Sequence, residues 1–217
     1  MDSSVNLGED VKIGAYSVVE PNVTIGDRTV IGNHVTISSN TKIGLDCQIF
    51  HSASIGAVPQ DLKYDNEKTL AEIGDRTVIR EFVTINKGTS ASGKTIIGSD
   101  CLLMSYVHIA HDCIIRDHVI MSNLATLGGH VTIDDWAILS GGVLVHQFCK
   151  IGAHSFIGAG AVVLKDVPDF ALIVGNPGQL VGWVNEEGNR LEFSSDGKSH
   201  CGRFIFDGTR VTLLENS

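Results

Sequence analysis

Aromatic residues make up only 6 % of these 217 residues, and there are just four prolines. Glycine, by contrast, reaches 24 residues, and that balance favours β-branched aliphatics with many tight turns over a helical or aromatic-cored domain. No run approaches the ~20 apolar residues that cross a bilayer, and the opening "MDSSVNLGED" lacks the charged and apolar regions of a secretory signal. The chain is therefore expected to be soluble and cytoplasmic, without membrane insertion. The five cysteines, at 47, 101, 113, 149 and 201, form no C-x-x-C pair, which supports neither a zinc site nor a disulfide framework. Basic residues are outnumbered, giving a formal charge of −9 and arguing against nucleic acid as a partner.

What is present is a beat of six. From Val5 the chain divides into VNLGED, VKIGAY, SVVEPN, VTIGDR and onward, and after two interruptions the phase returns and runs to Asp166. In all 24 hexads the third residue is Leu, Ile, Val or Met. Neither a helix, with its period of 3.6, nor a plain strand, with its period of 2, gives this pattern. It predicts an all-β parallel β-helix, in which three hexads make one triangular coil and 24 make about eight. First positions carry small residues, among them Cys47, Cys101, Cys113 and Cys149, read as core filler.

Two insertions interrupt the beat, at 59–70 ("PQDLKYDNEKTL") and 89–94 ("TSASGK"). Both preserve phase, so both are expected to leave the coil as surface loops and re-enter at the corner they left. The first is the better candidate for binding groups, the second for a tolerated insertion. Residues 1–168 are read as the β-helix and 169–217 as a C-terminal extension. Within the extension, two Asp-Gly turns after residue 186 predict a short β-meander.

Equivalent points on successive coils lie 18 residues apart wherever the beat is unbroken. His111 then stacks beneath Gly129 and Gln147, Asp112 beneath His130, and Gly128 beneath His146. One corner displays all of them, facing outward beside a groove. The set suits acyl transfer: His111 as general base, Asp112 orienting its ring, and the Gly129 N–H stabilising an oxyanion, a role worth ~3–4 kcal/mol. No column pairs two histidines and no nearby ligand set has metal spacing, so no metal site is expected.

The motifs "SIGAVPQDLKY" (54–64), "HIAHDC" (108–113), "ATLGGHV" (125–131) and "VHQFCKIGAH" (145–154) resemble those of the UDP-N-acetylglucosamine O-acyltransferases of lipid A synthesis. The resemblance runs from residue 8 to about 174. It implies the left hand of the helix and a homotrimer with each groove between two protomers. It also implies transfer of a 3-hydroxyacyl group from acyl carrier protein to the 3-position of the UDP-sugar or its 3-amino analogue. The implied roles are general base for His111, paired with Asp112, and oxyanion donor for Gly129. Asp61, Lys63, His108, His130, His146 and Gln147 are implied to hold the UDP-sugar, and Ala159 to limit acyl length to a medium chain. No permanently bound cofactor is implied, the donor being a phosphopantetheine thioester on carrier protein or coenzyme A. The "GNP" at 175–177 and the tail "GWVNEEGNRLEF" depart from that family and resemble nucleotide-sugar N-acetyltransferases using acetyl-CoA, which is the alternative reading. A non-catalytic β-helix used as an assembly platform is the third, and the retained His111 and Gly129 weigh against it.

Overall fold

A computed structural model describes residues 2–214. The chain winds as a left-handed parallel β-helix with three faces. The first sheet opens with Asn6–Leu7, the second with Lys12–Ile13 and the third with Val18–Val19. The first and third sheets have eight strands each, and the second has ten.

Most strands are only two residues long because each face of the triangle spans little more than one hydrogen-bonded pair before the next corner. The third residue of each hexad points inward. Ile25, Ile31, Ile37, Ile55, Ile85, Leu127 and Ile157 are all buried in one continuous core. Burying such a side chain is worth ~1.5–3 kcal/mol. First positions pack at the corners, where space is short. There Thr29 donates to Gly44 O (2.9 Å) and accepts from Cys47 N (3.0 Å), while Cys113 donates its thiol to Gly128 O at 3.3 Å. Burial pushes the Cys113 thiol up to about 12 and the Cys101 thiol up to about 11, so these sulfurs stay protonated and unreactive.

The sixth residue of nearly every hexad has a positive φ, Asp112 at 61° and His130 at 62° among them. That left-handed conformation turns the chain through each corner, and here non-glycine residues accept it because the sheets on both sides hold them.

Register follows the beat. Thr126 pairs with Leu144, and His108 with Thr126. Across the insertions the offset grows by the length inserted, so Ile43 pairs with Ile73 and Ile73 with Ile97. The loop ends fall slightly inside the expected ranges, since Leu70 and Lys94 already begin strands. Parallel stacking continues past residue 168 with Ala171–Val174, which pairs with Phe156–Ile157 at a shortened offset. Gln179–Trp183 then folds back antiparallel on it. The β-pairing of the remaining described tail is antiparallel: Val184 to Arg190, Phe193 to Ser199, Lys198 to Ile205, and the hairpin Phe204–Phe206 with Val211–Leu213.

Among the described residues no helix is long and apolar enough to cross a membrane.

Candidate active site

Both insertions leave the coil between the third and first sheets, the same edge that carries His111. This loop edge displays, in rising order, the loop after Ala57, the loop after Asn86, then His111–Asp112, Gly129–His130 and Gln147–Phe148.

His111 places Nδ1 2.8 Å from Asp112 Oδ2. An ionised carboxylate can only accept, so Nδ1 carries the proton and Nε2 is left with its lone pair. The Asp112 side chain is fully buried. Besides His111, it accepts from Thr89 N (2.9 Å), Thr89 Oγ1 (2.7 Å) and Ser92 Oγ. Its own N–H donates to Thr95 Oγ1 at 2.8 Å. Burial pulls the Asp112 pKa upward. The donors from Ser92, Thr89 and His111 outweigh it and hold the carboxyl down at about 2. Asp112 is thus a fixed anion beside the imidazole throughout the neutral range. Corner positions were expected to face outward, and here Asp112 departs from that. The second loop folds over the corner and encloses it.

Gly129 lies directly above His111. A Cβ built on it would come within 2.7 Å of His111 Cε1 and 2.9 Å of Nε2, so the imidazole occupies the space where any side chain would be. At several equivalent hexad positions the backbone N–H is taken by a side chain one coil up: Glu9 N by Asp27, Ser99 N by Asp117, Asp117 N by Asp135. Gln147 stands above Gly129 and offers no such bond. Among the described residues the Gly129 N–H has no acceptor, while its carbonyl receives Phe148 N at 3.0 Å.

His130 meets the His111 ring edge-on (centroids 5.2 Å) and stacks on Phe148 (4.6 Å). Its Nε2 lies 3.7 Å from Asp112 Oδ2. The structure therefore corrects the expectation that no group here has metal spacing: His111, Asp112 and His130 each bring one ligand atom within 4.8 Å of the others. Column arithmetic missed this because side chains of neighbouring columns lean together. The donor set is nevertheless that of a hydrogen-bonded pair, since both Asp112 oxygens already receive N–H or O–H donors.

His108, on the strand His108–Ile109, meets Thr84 Oγ1 through Nδ1 at 2.7 Å, and burial lowers its pKa. His146 and Gln147 sit exposed at the top of the edge, His146 Nδ1 lying 3.2 Å from Gln147 O. Asp61 and Lys63 lie on the first loop, joined locally by Lys63 N donating to Asp61 Oδ1 at 3.0 Å. Among the described residues no ion pair or hydrogen bond links either to the His111 group. Ala159 is exposed on a different edge, between the second and third sheets, and within one chain it does not meet His111.

Thr89, Ser92 and Thr95 are site residues that the sequence reading passed over. A signal existed: the loop at 89–94 leaves the coil at the corner directly beneath His111–Asp112, so its short hydroxyl side chains are the nearest donors.

The matching family model is the bacterial transferase hexapeptide (six repeats), over residues 4–39 and 94–129. The chain is 49 % identical over 198 residues to the acyl-[acyl-carrier-protein]–UDP-N-acetylglucosamine O-acyltransferase of Herminiimonas arsenicoxydans, covering 90 % of this chain and 75 % of that one. To the protein of the same name from Xanthomonas euvesicatoria pv. vesicatoria it is 41 % identical over 218 residues, covering 100 % and 78 %. Among solved structures it is similar to LpxA from Acinetobacter baumannii, with a TM-score of 0.85, 45 % identity, and 87 % and 73 % of the two chains covered. The UDP-N-acetylglucosamine acyltransferase of Francisella novicida gives a TM-score of 0.84 at 42 % identity, covering 86 % and 69 %. With relatives this similar over most of both chains, and with a histidine–carboxylate pair facing a bare glycine, the chain belongs to the UDP-N-acetylglucosamine O-acyltransferases.

Proposed function

We propose that the chain transfers a 3-hydroxyacyl group from acyl carrier protein to the 3-position of UDP-N-acetylglucosamine or its 3-amino analogue. His111 Nε2 removes the proton from the attacking hydroxyl or amine as that atom bonds to the thioester carbonyl carbon. The carbonyl oxygen, now negative, receives the Gly129 N–H. Collapse breaks the carbon–sulfur bond, and the departing phosphopantetheine thiolate takes the proton back from the imidazolium. Asp112 keeps Nδ1–H in place and stabilises the imidazolium through the cycle without changing its own charge. The acyl carbon is already activated by sulfur, so no covalent intermediate on the protein is required.

The observation that carries this reading is the His111–Asp112 pair, its carboxylate held by the second loop and its imidazole lying against Gly129, whose N–H has no acceptor among the described residues. Asp61, Lys63, His108, His130, His146 and Gln147 share the loop edge and are proposed to hold the UDP-sugar.

A trimer completes the groove in this proposal. Phe82, Tyr106 and Leu124 stand in one exposed column on the edge that also carries Ala159, with Phe82 stacked on Tyr106 at 4.9 Å. An apolar column of this kind suits a contact with another protomer. Such a contact brings a partner's Ala159 toward the His111 of this chain, where its methyl group limits the donor to a medium chain.

The test is direct. The protein is incubated with UDP-N-acetylglucosamine or the 3-amino analogue, and with either 3-hydroxyacyl carrier proteins of graded length or acetyl-CoA. Product mass then fixes acceptor atom, donor and chain length together. Turnover with acetyl-CoA alone overturns the proposal. Ala159→Gly is expected to move the preferred chain to a longer one.

A further inference from the structure

Lys87 is the only lysine or arginine among the buried residues described, with 7 % of its surface exposed. On the adjoining first sheet, Lys42 and Lys94 both pair with Glu72, at 3.2 and 2.8 Å. Among the described residues, the Lys87 ammonium has neither a carboxylate within ion-pair distance nor a hydrogen-bond acceptor. Burial of its stem fixes where the ammonium sits at the edge of the coil, and no anion neutralises it there. Beside it, the buried Asn86 gives its Nδ2 hydrogen to Val58 O at 3.0 Å, while its Oδ1 takes no hydrogen bond. A cation and an acceptor thus stand side by side without partners.

Their place is specific. The register that pairs Thr84 with His108 and Ile85 with Ile109 sets Asn86 beneath Ala110 and Lys87 beneath His111, in the same column. The rise between them is one strand spacing, ~4.8 Å. We infer that Lys87 and Asn86 form a subsite for the diphosphate of the nucleotide-sugar acceptor, Lys87 meeting the phosphate charge and Asn86 Oδ1 a neighbouring hydroxyl or amide N–H. This rests on the acyl-transfer reading above. A phosphate could also come from the phosphopantetheine of the donor, but that phosphate is separated from the thioester by the whole pantetheine arm. In the acceptor a single sugar ring separates the diphosphate from the 3-hydroxyl, a span that fits one coil.

The test compares wild type with Lys87→Met and Lys87→Arg. Lys87→Met is expected to raise KM for the UDP-sugar about tenfold or more, with KM for the acyl donor unchanged within twofold, and Lys87→Arg to restore most of the loss. In calorimetric titration, wild type should bind UDP more tightly than uridine, and Lys87→Met should reduce that preference about tenfold. This readout needs no turnover, so it judges the subsite even if the acyl-transfer reading fails. Thermal melting and oligomer size establish that each variant is folded, and Lys87→Gln takes the place of the Met variant if that one does not fold. An unchanged UDP preference, or a KM increase confined to the donor, overturns the assignment.

Discussion

On the edge between the first and second sheets, His118, Trp136, His154 and Phe170 stack in one file, with centroid spacings of 3.9, 6.2 and 5.0 Å and planes within 11° of parallel. Below them the same file holds exposed ion pairs, Arg28 with Asp46 and Arg76 with Asp100. On the loop edge His130 stacks on Phe148 in the same manner, but below it the file holds Asp112, and His111, in the adjacent column, meets His130 edge-on and donates to that carboxylate. The two edges share a repeat, a spacing and a supply of histidine. They differ in what surrounds the rings. On the ladder edge the neighbours are aromatic faces, and burial lowers the pKa of His154. On the loop edge an inserted segment supplies hydroxyl and amide donors that keep a buried carboxylate ionised next to an imidazole. Histidines in register are thus a property of the fold, and the enclosed carboxylate is what turns one of them into a base.

Breaking this comparison begins with His111→Ala, for which kcat should fall ~10²–10⁴-fold, while His118→Ala on the ladder edge keeps kcat within about twofold. Equal losses at both positions would show that the edges are not functionally distinct. Next comes Gly129→Ala. The added methyl group falls within 2.7 Å of the His111 ring and must push it aside, so kcat should drop ~10²-fold while the donor KM changes little. Smaller again, Ser92→Ala or Thr89→Ala removes one donor from Asp112, raises its pKa, and should lower kcat about tenfold with the acid limb of the rate profile moved to higher pH.

Asp112 also gives a stability signature. Its folded pKa is depressed, so the stabilisation is present above the unfolded carboxyl pKa near ~4 and is lost as pH falls through about 2. The Tm gap between wild type and Asp112→Asn should therefore be full at neutral pH and close between those values. Last, Trp136→Ala should leave kcat unchanged and cost about 1 kcal/mol, or ~3 °C in Tm, because the ring it removes is half exposed.

The repeat alone makes most of the architecture readable. An aliphatic every sixth residue implies coils, and the offset between coils places His111 under Gly129 and Asp112 under His130, as the strand pairing has them. The expected exposure of Asp112 failed for a physical reason. Periodicity describes the coil alone, whereas the groups that bury Asp112 sit on a loop with no repeat to follow. The grouping of His111, Asp112 and His130 escaped for a related reason, since column arithmetic fixes backbone height and not the lean of a side chain. Lys87 was hidden by its context, "TINKGT", where a lysine at a turn normally signals solvent.

That both excursions re-enter the coil in the column they left has a bearing on how such an edge changes. A segment grafted there neither tilts the prism nor shifts any rung above it, so the imidazole keeps its height whatever is hung below. Substrate preference and proton chemistry can then be altered on separate pieces of chain, one exchanged whole while the other stays put.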